Sequence, residues 1–228
     1  MVSGSGNAPL HWEEIQLEEN LNYLLNLVNE SIGKTPPKNT RALRKMTRWR
    51  NMLSGIRTSI QHIEEHLQPS LESELDVPWN RRGLLTVSLF QPSTKNVFLE
   101  IQTHYSEEGA TCDVQKLETF IDLSEIAKVL GLLGDAVIDI AILDHLWKPD
   151  VSHAGQLTQR RSEIVSNEHL ARICDRFGLY EHRIHFDPET QEKSEMEHIK
   201  GTLVEALFGV IYIEQGFEKA KQIATILL

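Results

Sequence analysis

Two cysteines in 228 residues, Cys112 and Cys174, exclude a disulfide-stapled scaffold, and their spacing fits no metal-ligand pattern. They read as free thiols in a reducing cytosol. No apolar run reaches the roughly 20 residues needed to span a bilayer. The N-terminus, Met-Val-Ser-Gly-Ser-Gly-Asn-Ala-Pro, lacks the positive-then-apolar order of a secretory signal. Nor does the chain carry a Gly-rich phosphate loop, a Ser/His/Asp arrangement, a dinucleotide fingerprint, an internal repeat or a low-complexity tract. These absences remove membrane proteins, nucleotide-loop enzymes and triad hydrolases from consideration. None of the ten histidines forms a His-x-x-x-His pair beside suitable acids, and His104, His153, His182, His185 and His198 read as loop or hydrogen-bonding residues.

What remains is the composition of a globular protein, 40% hydrophobic and 25% charged. A net charge of -10 argues against nucleic acid as a partner, but its distribution argues otherwise. Residues 34–57 hold eight basic residues and no acid: Lys34, Lys38, Arg41, Arg44, Lys45, Arg48, Arg50 and Arg57. An amphipathic helix is predicted over residues 11–32. A longer one starts at Asn39 or Thr40, with the stripe Ala42, Met46, Trp49, Leu53, Ile56, Ile60, Ile63 and Leu67. Residues 68–83, with two prolines and weak periodicity, read as a linker. Local pattern allows a β-hairpin over 84–103. Further helices are predicted at about 114–131, 131–147, 156–166, 167–177 and 195–214, with a short one after Gly216. Asn167 is the expected cap of the 167–177 helix, with Glu168 in its first turn.

Two carboxylates stand out because each interrupts a strongly apolar run. Asp135 lies in Leu-Leu-Gly-Asp-Ala-Val-Ile (132–138), and Glu205 in Val-Glu-Ala-Leu-Phe-Gly-Val-Ile-Tyr (204–212). A charge so near a core is costly unless it is paired, solvated in a cleft or bound to a cation. Between them runs Gly-Gln-Leu-Thr-Gln-Arg-Arg-Ser-Glu-Ile-Val-Ser-Asn-Glu-His-Leu-Ala (155–171). In this order the three stretches resemble the ribonuclease III family over roughly residues 90–228. The resemblance also places a helix, not a hairpin, at Ser93–Ser106.

That resemblance implies an all-α protein: a ribonuclease III-like helical endonuclease domain over 84–228 behind an N-terminal helical extension over 1–83. It implies a homodimer without a membrane role that cleaves double-stranded regions of structured RNA in the cytoplasm. Asp135 and Glu205 would be the catalytic residues and would bind Mg²⁺ or Mn²⁺. Arg160, Arg161 and Lys200, together with Arg41, Arg44, Lys45 and Arg48 of the basic segment, are the candidate RNA-binding residues.

The family pattern has two further acids, where this chain has Gly131 and Thr202, and often an acid where it has Ala154. Leu130-Gly-Leu-Leu-Gly-Asp-Ala-Val is closer to the Mini-ribonuclease III branch, which lacks a double-stranded-RNA-binding domain and points to a ribosomal RNA precursor. The alternative reading is a catalytically inactive ribonuclease III fold that binds duplex RNA or a ribonucleoprotein partner.

Overall fold

The computed structural model describes residues 15–79, 83–107, 114–147, 153–188 and 192–228. Residues 11–14 of the expected first helix, together with Cys112, lie outside them. Among the described residues there is no named strand, only an isolated parallel bridge between Phe90 and Ile184, so the architecture is all-α as the sequence implies.

Helix α1 spans Leu17–Lys34 and buries Leu17, Leu21, Leu24, Leu25 and Val28. Helix α2, Thr40–His62, begins where predicted: the Asn39 side chain accepts from the Ala42 N–H at 3.3 Å. Its stripe is buried from Met46 to Ile60 and continues through a π-turn, Ile63–Leu67. The expected linker is not one. Helix α3, Gln68–Leu75, follows directly, with Pro69 in its first turn, where a missing N–H breaks no intrahelical bond. Leu71, Leu75, Val77 and Trp79 are buried, and the Pro78 carbonyl accepts from Gln215 Nε2 at 2.8 Å. Four apolar side chains spread over nine residues are too few to show a period, yet enough to dock the segment.

The ambiguous stretch is helical: α4, Leu84–Ser88, a 3₁₀ turn at Pro92–Thr94, and α5, Lys95–Glu107. Phe98 of α5 stacks on Phe120 at 4.8 Å. Residue 120 belongs to α6, Val114–Leu146, a single 33-residue helix where two were predicted. Gly131 and Gly134 look like a break in the sequence, since a helical glycine costs about 1 kcal/mol relative to alanine. Tertiary contact overrides that cost here.

Helices α7, Ala154–Ile164, and α8, Asn167–Phe177, follow. The α8 cap is Ser166, whose hydroxyl accepts from the His169 N–H at 3.3 Å, not Asn167 as predicted. Helix α9 runs from Lys193 to Ile223 with a kink at Gly216 (φ 79°, ψ 175°), and a 3₁₀ turn, Ala224–Leu227, closes the chain's described part. Packing of α6 on α9 is the most extensive helix pairing, and buried residues from Leu17 to Leu227 join one core. Among the described residues no helix is long and apolar enough to cross a membrane.

Candidate functional site

Close approach of α6 and α9 builds the site. A β-carbon added at Gly134 would lie 1.7 Å from the Glu205 carbonyl oxygen, and one at Gly209 would lie 2.2 Å from the Leu130 carbonyl oxygen. Both glycines therefore let backbone rest on backbone. Asp135 follows Gly134 and Glu205 is the residue Gly134 touches, so the two predicted acids become neighbours. Asp135 is exposed and Glu205 half-buried. Burial, then the charges of Asp135 and Asp139, pushes the Glu205 carboxyl up to about 7. Neither Asp135 nor Glu205 has a hydrogen-bond or ion-pair partner among the described residues.

Asp139, one turn after Asp135, is the site residue that the sequence reading left out of its ligand set. Its Oδ2 lies 2.5 Å from Arg161 Nη1, while its Oδ1 is buried without a hydrogen-bond partner. Burial raises its carboxyl above the ordinary value, the Arg161 guanidinium opposes that, and Asp135 adds to it. The signal was the i, i+4 spacing from Asp135, which puts both acids on one helix face.

The two absent acids share one place. At Gly131 an added β-carbon would lie 3.5 Å from Thr202 Cγ2, so these positions face each other across the α6–α9 contact. The fit to a divalent cation therefore rests on Asp135 and Glu205. Two carboxylates without competing cations suit a hard ion that binds oxygen and keeps several waters. Among the described residues no three His, Cys, Asp or Glu side chains form a group that could hold a metal ion.

The predicted RNA-binding residues do not all converge. Arg160 is exposed and Arg161 partly exposed on α7, beside the acids through the Asp139 pair. Lys200 is elsewhere: its ammonium is 2.5 Å from Asp175 and its side chain is only 14% exposed, so it holds α9 to α8 rather than facing a phosphate. Arg41, Arg44, Lys45 and Arg48 line one cavity on α2. Arg48 is committed to Glu100, which also accepts from Trp49 Nε1, and Lys45 sits 4.7 Å from the Trp49 ring centre.

Of the histidines, His62 at the end of α2 and His66 in the π-turn have ring centres 4.4 Å apart. His62 also stacks on His182 at 5.4 Å. Cys174 is fully buried, and burial together with Asp175 pushes its thiol up to about 12, an unreactive thiol as its packing requires.

The sequence model described as Ribonuclease III domain matches residues 128–216, the stretch that contains both acids, α7 and α8. Ribonuclease 3 of Homo sapiens and that of Mus musculus are each 37% identical over 101 residues, covering 41% of this chain and 7% of the relative. Ribonuclease 3 of Pelotomaculum thermopropionicum is 29% identical over 159 residues, covering 68% of this chain and 56% of the relative. The chain thus spans about half the length of that bacterial relative and a small part of the mammalian ones. The nuclease domain of ribonuclease III from Campylobacter jejuni superposes with a TM-score of 0.50 at 25% identity, covering 69% of this chain and 93% of that domain.

Proposed function

We propose that the chain is a member of the ribonuclease III family, on the match of residues 128–216 to its domain model, and that it is a divalent-metal-dependent endoribonuclease. Its substrate on this reading is the double-stranded part of a structured RNA in the cytoplasm, with a ribosomal RNA precursor as the candidate that the Mini-ribonuclease III resemblance suggests. The observation that carries the reading is the meeting of Asp135 and Glu205 at the Gly134 contact, with no partner of their own to neutralise them. Asp135 and Glu205 would hold Mg²⁺ or Mn²⁺. When bound, such an ion polarises a phosphodiester and lowers the pKa of a coordinated water. Arg160 and the free donors of Arg161 would position the phosphate, and the α2 face with Arg41, Arg44 and Lys45 would extend the contact along the duplex. Arg48 would contribute charge from its pair with Glu100.

The proposal includes a homodimer, which the surface of α6 supports. Val129, Leu132, Ile140 and Leu143 fall on one stripe of this helix and remain exposed, Leu132 by 73%, with Asp135 and Asp139 along its edge. An apolar stripe on a helix is self-complementary about a two-fold axis, so a second copy would cover it. The solved Campylobacter jejuni domain is described as having a region involved in dimer formation.

The second reading, an RNA-binding module without chemistry, draws on the Gly131–Thr202 contact where the family pattern has acids. Incubation of labelled duplex and single-stranded RNA across a Mg²⁺ titration separates the two. Internal cuts in the duplex that require Mg²⁺ and stop on chelation support the enzyme. Duplex binding without cuts at any Mg²⁺ or Mn²⁺ concentration supports the module.

A further inference from the structure

Helix α7 is held to the molecule in an unusual way, because none of its residues is buried. Its own side-chain bonds, Thr158 to the Ala154 carbonyl and Gln159 to Glu163, stay within the helix. Arg161–Asp139 is the one ion pair it makes to another element among the described residues, with side chains 32% and 28% exposed. Ile164 packs partly against the core at the C-terminal end of α7, and the Arg161 pair fastens the helix at a carboxylate one turn from Asp135.

Asp139 uses only one oxygen for this task. Its Oδ1 is buried without a partner, and an ionised carboxylate oxygen in that state is strongly disfavoured unless a donor reaches it. Asp139 is not grouped with Asp135 and Glu205 as an inner ligand would be. A hard divalent cation, however, brings its own donors, since it retains several bound waters. Groups that accept from such waters orient the site and strengthen metal binding without touching the ion.

We infer that Asp139 is a positioning residue that links the cation site to α7: one carboxylate oxygen holds Arg161, and the other accepts from the water shell of a cation bound at Asp135 and Glu205. This rests on the reading of those two acids as the cation site. Its consequence is a reciprocal coupling. A bound cation fixes the Asp139 carboxylate and with it the docking of α7, which sets the guanidinium of Arg161 where its remaining donors meet phosphate. A phosphate engaged by α7 in turn favours cation binding.

The test uses the full chain without RNA and Mn²⁺ alone as probe, with affinity measured by electron paramagnetic resonance and α7 followed by amide hydrogen exchange. In the wild type, Mn²⁺ slows exchange across 154–164. Asp139→Ala weakens Mn²⁺ binding by about tenfold, within the range known for outer-shell partners, and abolishes the slowing. Asp139→Asn keeps the size and one acceptor and falls between, so the test stands if the alanine variant unfolds. Arg161→Ala abolishes the slowing and, because the coupling is reciprocal, weakens Mn²⁺ binding by about the factor by which Mn²⁺ slows α7 exchange in the wild type. Unchanged Mn²⁺ affinity in both Asp139 variants, or wild-type exchange in α7 that ignores Mn²⁺, overturns the inference while leaving the cation site in place. Mn²⁺ binding that is absent, or insensitive to Asp135→Asn and Glu205→Gln, overturns the site and this inference together.

Discussion

Glu205 owes its raised carboxyl to burial in α9 and to the negative charges of Asp135 and Asp139. An acid whose folded-state pKa lies above its unfolded value binds more protons folded than unfolded, so it costs stability as pH rises between the two. For Glu205 the cost is absent below about 4.5, grows between there and about 7, and is complete above. Glu205→Gln should therefore raise the melting temperature of the cation-free protein at pH 8, by roughly 2–4 °C for each kcal/mol in a chain of this size. The gain should vanish near pH 4, and thermal melts across that range check it. Each acid drew notice in the sequence because it interrupts an apolar run, but the order of the three motifs, not either acid alone, is what paired them. The ion pairs of Lys200 and Arg161 were not legible there, because their partners Asp175 and Asp139 are 25 and 22 positions away and only the folded chain brings them together.

Helix pairing decides where the acids sit, and it turns on two glycines. Replacement of Gly134 by alanine puts a methyl group against the Glu205 backbone, where neither helix can yield by rotating a side chain. Overpacking of this kind costs about 1–3 kcal/mol and more when backbone must move. Gly55, exposed in the middle of α2, has nothing within 4 Å of an added β-carbon. Its replacement by alanine should stabilise the protein by about 0.5–1 kcal/mol. Urea unfolding of the two variants should show opposite signs, and a neutral Gly134→Ala would contradict the close α6–α9 contact. Helix starts and faces were legible from caps and periodicity, as with Asn39 and the Met46–Leu67 stripe. Helix continuity was not. The α2–π-turn–α3 run contains Pro69 and α6 contains Gly131 and Gly134, residues that local preference reads as breaks and packing carries through.

At the scale of the whole molecule, the exposed α6 stripe predicts association. Sedimentation velocity of the wild type should give a dimer, and Leu132→Glu with Ile140→Glu should give a folded monomer; a monomeric wild type would contradict the covered-stripe account. All-α architecture and the order of the three motifs were legible from sequence, whereas the joining of the N-terminal helices to the same core was not, since the 68–83 stretch gave no sign of docking. The central claim is that Asp135 and Glu205 together hold the cation that cuts duplex RNA. The most direct measurement compares cleavage and binding of one labelled duplex by wild type, Asp135→Asn and Glu205→Gln in Mg²⁺. The account predicts that both variants fold, associate and bind the duplex within a few-fold of wild type but lose cleavage by about 10³-fold or more, a loss of roughly 4 kcal/mol in transition-state stabilisation. Cleavage that persists in either variant at near wild-type rate would contradict it.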